Sequence, residues 1–115
     1  METKKLQQIE NQINKIKMEI HKLGEMRPGS LSRQYKIPKK QIGHYYQLSY
    51  THKMKSRTEY IRSEFVNEIK QQVATYKRFK KLMEKWIDLA IEHSRLKMKL
   101  AKSAKSKPVL DSDRG

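Results

Sequence analysis

Tyr35, Tyr45, Tyr46, Tyr50 and Tyr60, five of the chain's six tyrosines, fall between Arg27 and Arg62 among nine lysines or arginines and a single acid, Glu59. That segment carries a net +8 of the chain's +15. Cations at this density displace condensed counterions from a polyanion, and phenol rings beside them supply faces for stacking or wedges for a groove. The chemistry the pattern supports is phosphate binding combined with contact to bases. Arg33, Lys36, Lys39, Lys40, Lys53, Lys55, Arg57 and Arg62 are the candidate phosphate contacts, and Tyr45 and Tyr50 are the candidate rings at a nucleic-acid surface. A second run, Lys77, Arg78, Lys80, Lys81 and Lys85, would either widen that track or form the solvated face of a helix.

Catalytic chemistry finds little to stand on. The glycines at 24, 29, 43 and 115 are too scattered to cradle a nucleotide phosphate. His21, His44, His52 and His93 form no closely spaced pair that would chelate a metal, although His44 and His52 could meet across a hairpin. The chain has no cysteine, which excludes disulfides and thiolate metal sites. With Glu59 the only acid in the basic segment, a two-metal phosphodiester site lacks its carboxylates. A tyrosine nucleophile would need convergent groups around the phosphate, and nothing in the spacing of Arg33, Arg57 and Arg62 selects such a site. The expectation is a binding protein, with no catalytic residue, no metal and no cofactor.

The elements that must position these residues follow from periodicity. Leu6, Ile9, Ile13, Ile16, Ile20 and Leu23 recur at the alternating three- and four-residue spacing of a heptad seam, which predicts a helix over 3–24. Thr3 is its candidate cap and Gly24 its candidate left-handed terminator. A second helix is predicted over 63–103, opened by Ser63 as cap with Glu64 in the first turn. Its apolar stripe, from Val66 through Tyr76, Phe79, Met83, Trp86 and Ile87 to Leu96, is wide and drifts. The intervening 27–62 segment is punctuated by Pro28, Gly29, Pro38 and Gly43, and reads as strands over 31–37, 43–51 and 56–61. If Thr51 opposes Ser56, then Tyr46, Leu48 and Tyr50 share a face with Ile61, Glu59 and Arg57, while Tyr45, Gln47 and Ser49 share the other with Tyr60 and Thr58. The competing parse is a helix-turn-helix with Lys39 to Tyr50 as the groove-reading helix. Gly43 opposes it, since a helix-interior glycine costs about 1 kcal/mol relative to alanine.

These elements predict an α+β fold, mostly α: a coiled-coil-like hairpin of two helices with an antiparallel ribbon or three-stranded sheet inserted between them in sequence. Residues 1–103 read as a single domain and 104–115 as a disordered tail whose Lys105 and Lys107, with Lys102 ahead of them, either form a solubilising end, the favoured reading, or extend the basic footprint. At 1.5 Å per residue the first helix spans roughly 30 Å and the second roughly 60 Å, so half of the second needs another partner. A homodimer through the helices is the expected solution. No segment at Met1 to Leu6 resembles a signal peptide and no apolar run approaches about 18 residues, so the expectation is a cytoplasmic protein without a membrane span.

The motifs "RPGSL" at 27–31, "GHYYQLS" at 43–49, "KSRTEYI" at 55–61 and "YKRFKKLMEKWIDL" at 76–89 resemble, in that order, a family of small prokaryotic proteins defined by a domain of unknown function and met in mobile-element surroundings. The resemblance covers roughly 6–100 and implies the same helix, small sheet, long helix layout. Members carry a cysteine-containing segment between the first two motifs, whereas this chain has Ile37-Pro38-Lys39-Lys40-Gln41 there. Any metal or redox role of those cysteines is therefore closed to it, and no catalytic residue is carried over.

Two functions are expected from different classes. In the first, a non-enzymatic protein binds DNA or RNA through the basic, tyrosine-rich segment, as a mobile-element accessory or regulator. In the second, an adaptor docks a protein, with an acidic one as the candidate, on Met83, Trp86 and Ile87, and its charge serves steering.

Overall fold

The computed structural model describes residues 2–105. Helix α1 (Glu2–His21) is followed by strands β1 (Ser30–Ile37), β2 (Ile42–His52) and β3 (Lys55–Ile61), and then by the 40-residue helix α2 (Val66–Lys105). Short 3-10 turns occupy Pro38–Lys40 and Ser63–Phe65. The chain is thus α+β and mostly helical, with a three-stranded antiparallel sheet of order β1-β2-β3 set between the helices in sequence. Beyond residue 105 the expected disordered tail, Lys107 included, lies outside the described residues; Ala104 and Lys105 are helical.

The helix-turn-helix parse is overturned, because residues 42–52 form the central strand of the sheet. The residues explain it: Gly43 takes a φ of +70°, foreign to a helix, and the run Tyr45 to Tyr50 is aromatic and alternating. Helix ends differ by a few residues from expectation. Thr3 sits inside α1 and does not cap it, and the helix stops at His21, three residues short of Gly24, which is not left-handed. The segment beyond is drawn along α2 instead, where the Arg27 N–H donates to the Gln72 carbonyl at 3.1 Å and the Gln72 side-chain amide donates to Glu25. Ser63 makes no capping bond; a 3-10 turn closed by Phe65 N–H to the Arg62 carbonyl leads into α2.

Contacts divide the described residues into two compact units, 22–81 and 2–21 with 82–105. In the first, β2 pairs with β3 in the expected register, Thr51 opposite Ser56 and Tyr46 opposite Ile61. On its other side β2 pairs with β1, Leu31 opposite Leu48 and Arg33 opposite Tyr46. The even-numbered face of β2 packs on the start of α2. Leu48 is fully buried among Ile61, Val66, Ile69 and Val73, with Leu31, Tyr46 and Tyr50 at the margin. Burial of one such leucine is worth about 2 kcal/mol. Gly29 is required here: its φ is +140°, and a Cβ would lie 2.7 Å from Leu48 Cδ1.

In the second unit α1 runs antiparallel to α2. Leu82, Trp86, Leu89, His93, Leu96 and Leu100 form a heptad seam on α2 that answers the one on α1, with Ile9, Ile16 and Leu82 buried. His93 Nε2 meets Glu10 Oε2 at 2.9 Å, Lys17 Nζ lies 5.3 Å from the Trp86 ring centre, and Lys5 pairs with Glu92 at 3.7 Å.

Candidate nucleic-acid interface

The sheet has two chemically different faces. On the helix-packed face Arg27, Glu59 and Arg33 are engaged. Arg27 Nη2 lies 2.6 Å from Glu59 Oε1, and the Tyr50 hydroxyl donates to Glu59 Oε2 at 3.0 Å. The guanidinium of Arg27 sits 4.9 Å from the Tyr50 ring centre. Hydrogen bonding from Arg27 holds the Glu59 carboxyl below its ordinary value against a desolvation that pushes it up, and Tyr50 adds to the lowering. Further along, Arg33 donates to the Tyr46 hydroxyl from Nη2 at 3.3 Å and from Nε at 3.4 Å. That contact lowers the Tyr46 phenol, with Lys70 contributing from 5.9 Å over the ring.

The open face is built by the odd-numbered residues of β2 and their partners. Tyr45 and Tyr60 lean together across the strands, ring centres 6.2 Å apart and planes tilted by 41°. Tyr60 is 65% exposed and Tyr45 is half-buried. Around them stand uncharged hydrogen-bonding side chains. Gln34 donates to the Ser32 hydroxyl, Ser49 meets Thr58 at 3.4 Å, and Thr51 meets Ser56 at 3.0 Å. Gln47 lies between Ser32 and Tyr60 in the register. Among the described residues no acid stands on this face, and Lys36, whose chain lies against the side-chain-free Gly43, is its cation.

The ends of the sheet carry the remaining lysines. β1 and β2 extend beyond β3 to a turn bearing Lys39 and Lys40, while β2 and β3 extend beyond β1 to the tip Lys53-Met54, with Lys55 following. Both tip residues have positive φ, 52° and 66°, and Met54 is 99% exposed. Beside the start of β1, Arg57 and Lys80 line a hollow of about 420 Å³ together with Ser49, Thr51, Thr58 and Tyr76.

The expected site residues therefore divide. Lys36 and Tyr45 stand on the open face and Lys39, Lys40 and Lys53 at the two ends of the sheet, while Lys55, opposite His52, and Arg57, opposite Tyr50 and lining the hollow, share the parity of the helix-packed face. Arg33 and Tyr50 belong to the helix-packed face, and Arg62 is exposed after β3, 3.0 Å from Glu64. Tyr45 and Tyr50 do not form one surface; the ring that joins Tyr45 is Tyr60. His44 and His52 do not meet, being eight residues apart on one strand, about 26 Å. Among the described residues no three of His, Asp and Glu gather closely enough to hold a metal ion.

The residues expected to bind a protein partner, all in the other unit, divide likewise. Trp86 turns into the seam with α1 under Lys17, Met83 is half-buried, and Ile87 is 52% exposed. Ile91 and Met98 continue the Ile87 stripe at 46% and 63% exposure. No described helix is long and apolar enough to cross a membrane. Comparison with known proteins finds no family model, no curated protein and no solved structure that matches this chain.

Proposed function

We propose that this protein binds nucleic acid without catalysing its reaction, and that the 22–81 unit carries the binding. The observation behind the reading is the sorting of charge across the sheet. The one acid of the basic segment, Glu59, is neutralised by Arg27 on the helix-packed face, so among the described residues the open face and its two ends carry cations, hydrogen-bonding groups, the Tyr45 and Tyr60 rings and the exposed Met54, and no carboxylate. Such a surface attracts a phosphate backbone without a competing carboxylate. An accessory or regulatory role in a mobile element is the setting that the family resemblance adds to this reading.

Fluorescence anisotropy of labelled oligonucleotides across a salt series of about 50 to 200 mM tests it. Affinity should fall steeply with salt, and replacing any one of Lys36, Lys39, Lys40 or Lys53 by glutamine should lower the slope of log affinity against log salt by about one. Binding that ignores salt would refute the proposal.

A second reading rests on the α2 stripe of Met83, Ile87, Ile91 and Met98, which α1 leaves open. The occupant favoured is a second copy of the chain, since a self-complementary helix face is satisfied by a twofold axis. Sedimentation should then give a dimer that Ile87→Ser with Ile91→Ser converts to a monomer. A monomeric native protein would remove the dimer and favour an adaptor that docks an acidic protein.

A further inference from the structure

We propose that the nucleic acid is duplex DNA, read through its major groove by the open face of the sheet. The inference rests on the nucleic-acid reading above and names the form of the polymer. In three strands about 4.8 Å apart the axes of the outer two lie roughly 10 Å from each other, so the side chains rising from them fall within the width of the major groove of B-form DNA, about 12 Å. The floor of that groove offers donors, acceptors and methyl groups, and the side chains aimed outward here are suited to them. Gln34 and Gln47 each carry donors and an acceptor on one planar group, the arrangement that pairs with an adenine edge, and the hydroxyls of Ser32, Ser49 and Thr58 keep acceptor capacity beyond the bonds that Ser32 makes with Gln34 and Ser49 with Thr58. The lysines stand at the opposite ends of β2, where strands lying in a groove would meet the flanking phosphates.

Single-strand stacking fits less well. Successive bases need successive open ring faces, and of this pair Tyr60, 65% exposed, offers one while Tyr45 is half-buried and leans against it at 6.2 Å. Duplex RNA fits less well too, because its major groove is too deep and narrow for side chains to read.

The test uses the full chain with four labelled polymers of equal length: duplex DNA, duplex RNA, and the single strand of each. A preferred duplex is first selected from a random pool. Duplex DNA should bind at least tenfold more tightly than the other three, with methyl green, a major-groove ligand, competing and netropsin, a minor-groove ligand, failing to compete. Gln34→Ala with Gln47→Ala should reduce the preference for the selected duplex over a scrambled one by roughly tenfold. Lys39→Gln with Lys40→Gln should weaken both duplexes alike, and circular dichroism of each variant identifies one that fails to fold. Equal or tighter binding to RNA or to single strands, displacement by netropsin, or unchanged discrimination in the glutamine variant would overturn the inference and leave nucleic-acid binding standing. Failure to bind any of the four would remove both.

Discussion

Arg27 and Glu59, thirty-two positions apart in sequence, meet at 2.6 Å over the Tyr50 ring on the helix-packed face of the sheet. The pair ties the segment before β1 to β3 and takes the only acid of the basic region out of the way of a polyanion. Its energetic contribution is modest, about 0.5 kcal/mol, because the Glu59 side chain is 41% exposed and solvent screens the attraction. Its consequence for charge placement is larger than its consequence for stability.

The pair makes stability depend on pH in a defined direction. The Glu59 carboxyl lies below its ordinary value of 4.5 in the folded protein, chiefly through the Arg27 hydrogen bond. The unfolded chain therefore binds the proton more readily, so the stabilisation is complete above the ordinary glutamate range and is lost as pH falls through the folded-state value. Urea unfolding of Glu59→Gln should show a lower midpoint at neutral pH and a flatter decline in acid than the native protein. Equal declines in both would exclude the linkage.

How much of this was legible in the sequence depended on whether neighbours along the chain or across it decide the position. The β2–β3 register followed from a polar turn between two alternating runs, and with it the division of Tyr45, Gln47 and Tyr60 from Tyr46, Leu48 and Tyr50. That parity already places Tyr50 beside Leu48 and away from Tyr45; residue type favoured Tyr50, and geometry favours Tyr60. The Arg27–Glu59 contact had no local signal, since it depends on how the segment before β1 lies on α2. Trp86 shows the same limit. The α2 stripe was visible, but a stripe that wide merges the seam facing α1 with the lateral row of Ile87 and Ile91, and hydrophobicity alone does not separate them.

Tyr46 should ionise early. Its phenol is lowered from an ordinary value of 10.0, first by the Arg33 hydrogen bond and further by the charges of Arg33 and Lys70, while desolvation opposes them. The unfolded chain binds this proton more readily, so the stabilisation builds up as pH rises through the lowered value towards the ordinary one and is complete above it. Ultraviolet titration of the phenolate band should show an early component that Arg33→Gln moves up. A titration curve identical in the two proteins would mean that the contact does not persist in solution.

Gly29 should be intolerant of a side chain. Its φ of +140° is strained for any L-residue, and a Cβ there would approach the fully buried Leu48 to 2.7 Å. Gly29→Ala is expected to lower stability by about 2 kcal/mol or more. Gly24→Ala is the control, because nothing lies within 4 Å of its added Cβ and its φ is not positive. Chemical denaturation of the two variants should separate them clearly, and similar midpoints would mean that the chain before β1 rearranges around the substitution.

The β2–β3 tip offers a test in which stability and function are expected to move apart. Lys53 and Met54 both adopt positive φ, as a two-residue type I′ turn demands, yet neither is a residue that accepts that conformation cheaply. Lys53→Asn with Met54→Gly supplies the residues this turn prefers and should raise stability by about 1 kcal/mol. The same change deletes one of the lysines at that end of the sheet and an exposed methionine that makes no contribution to the core. If the tip contacts phosphate, the more stable variant should bind duplex DNA less tightly, with a salt slope lower by about one. A gain in stability with unaltered affinity and slope would show that the strain at Lys53-Met54 serves no contact, and would confine the interface to the open face and the Lys39-Lys40 end.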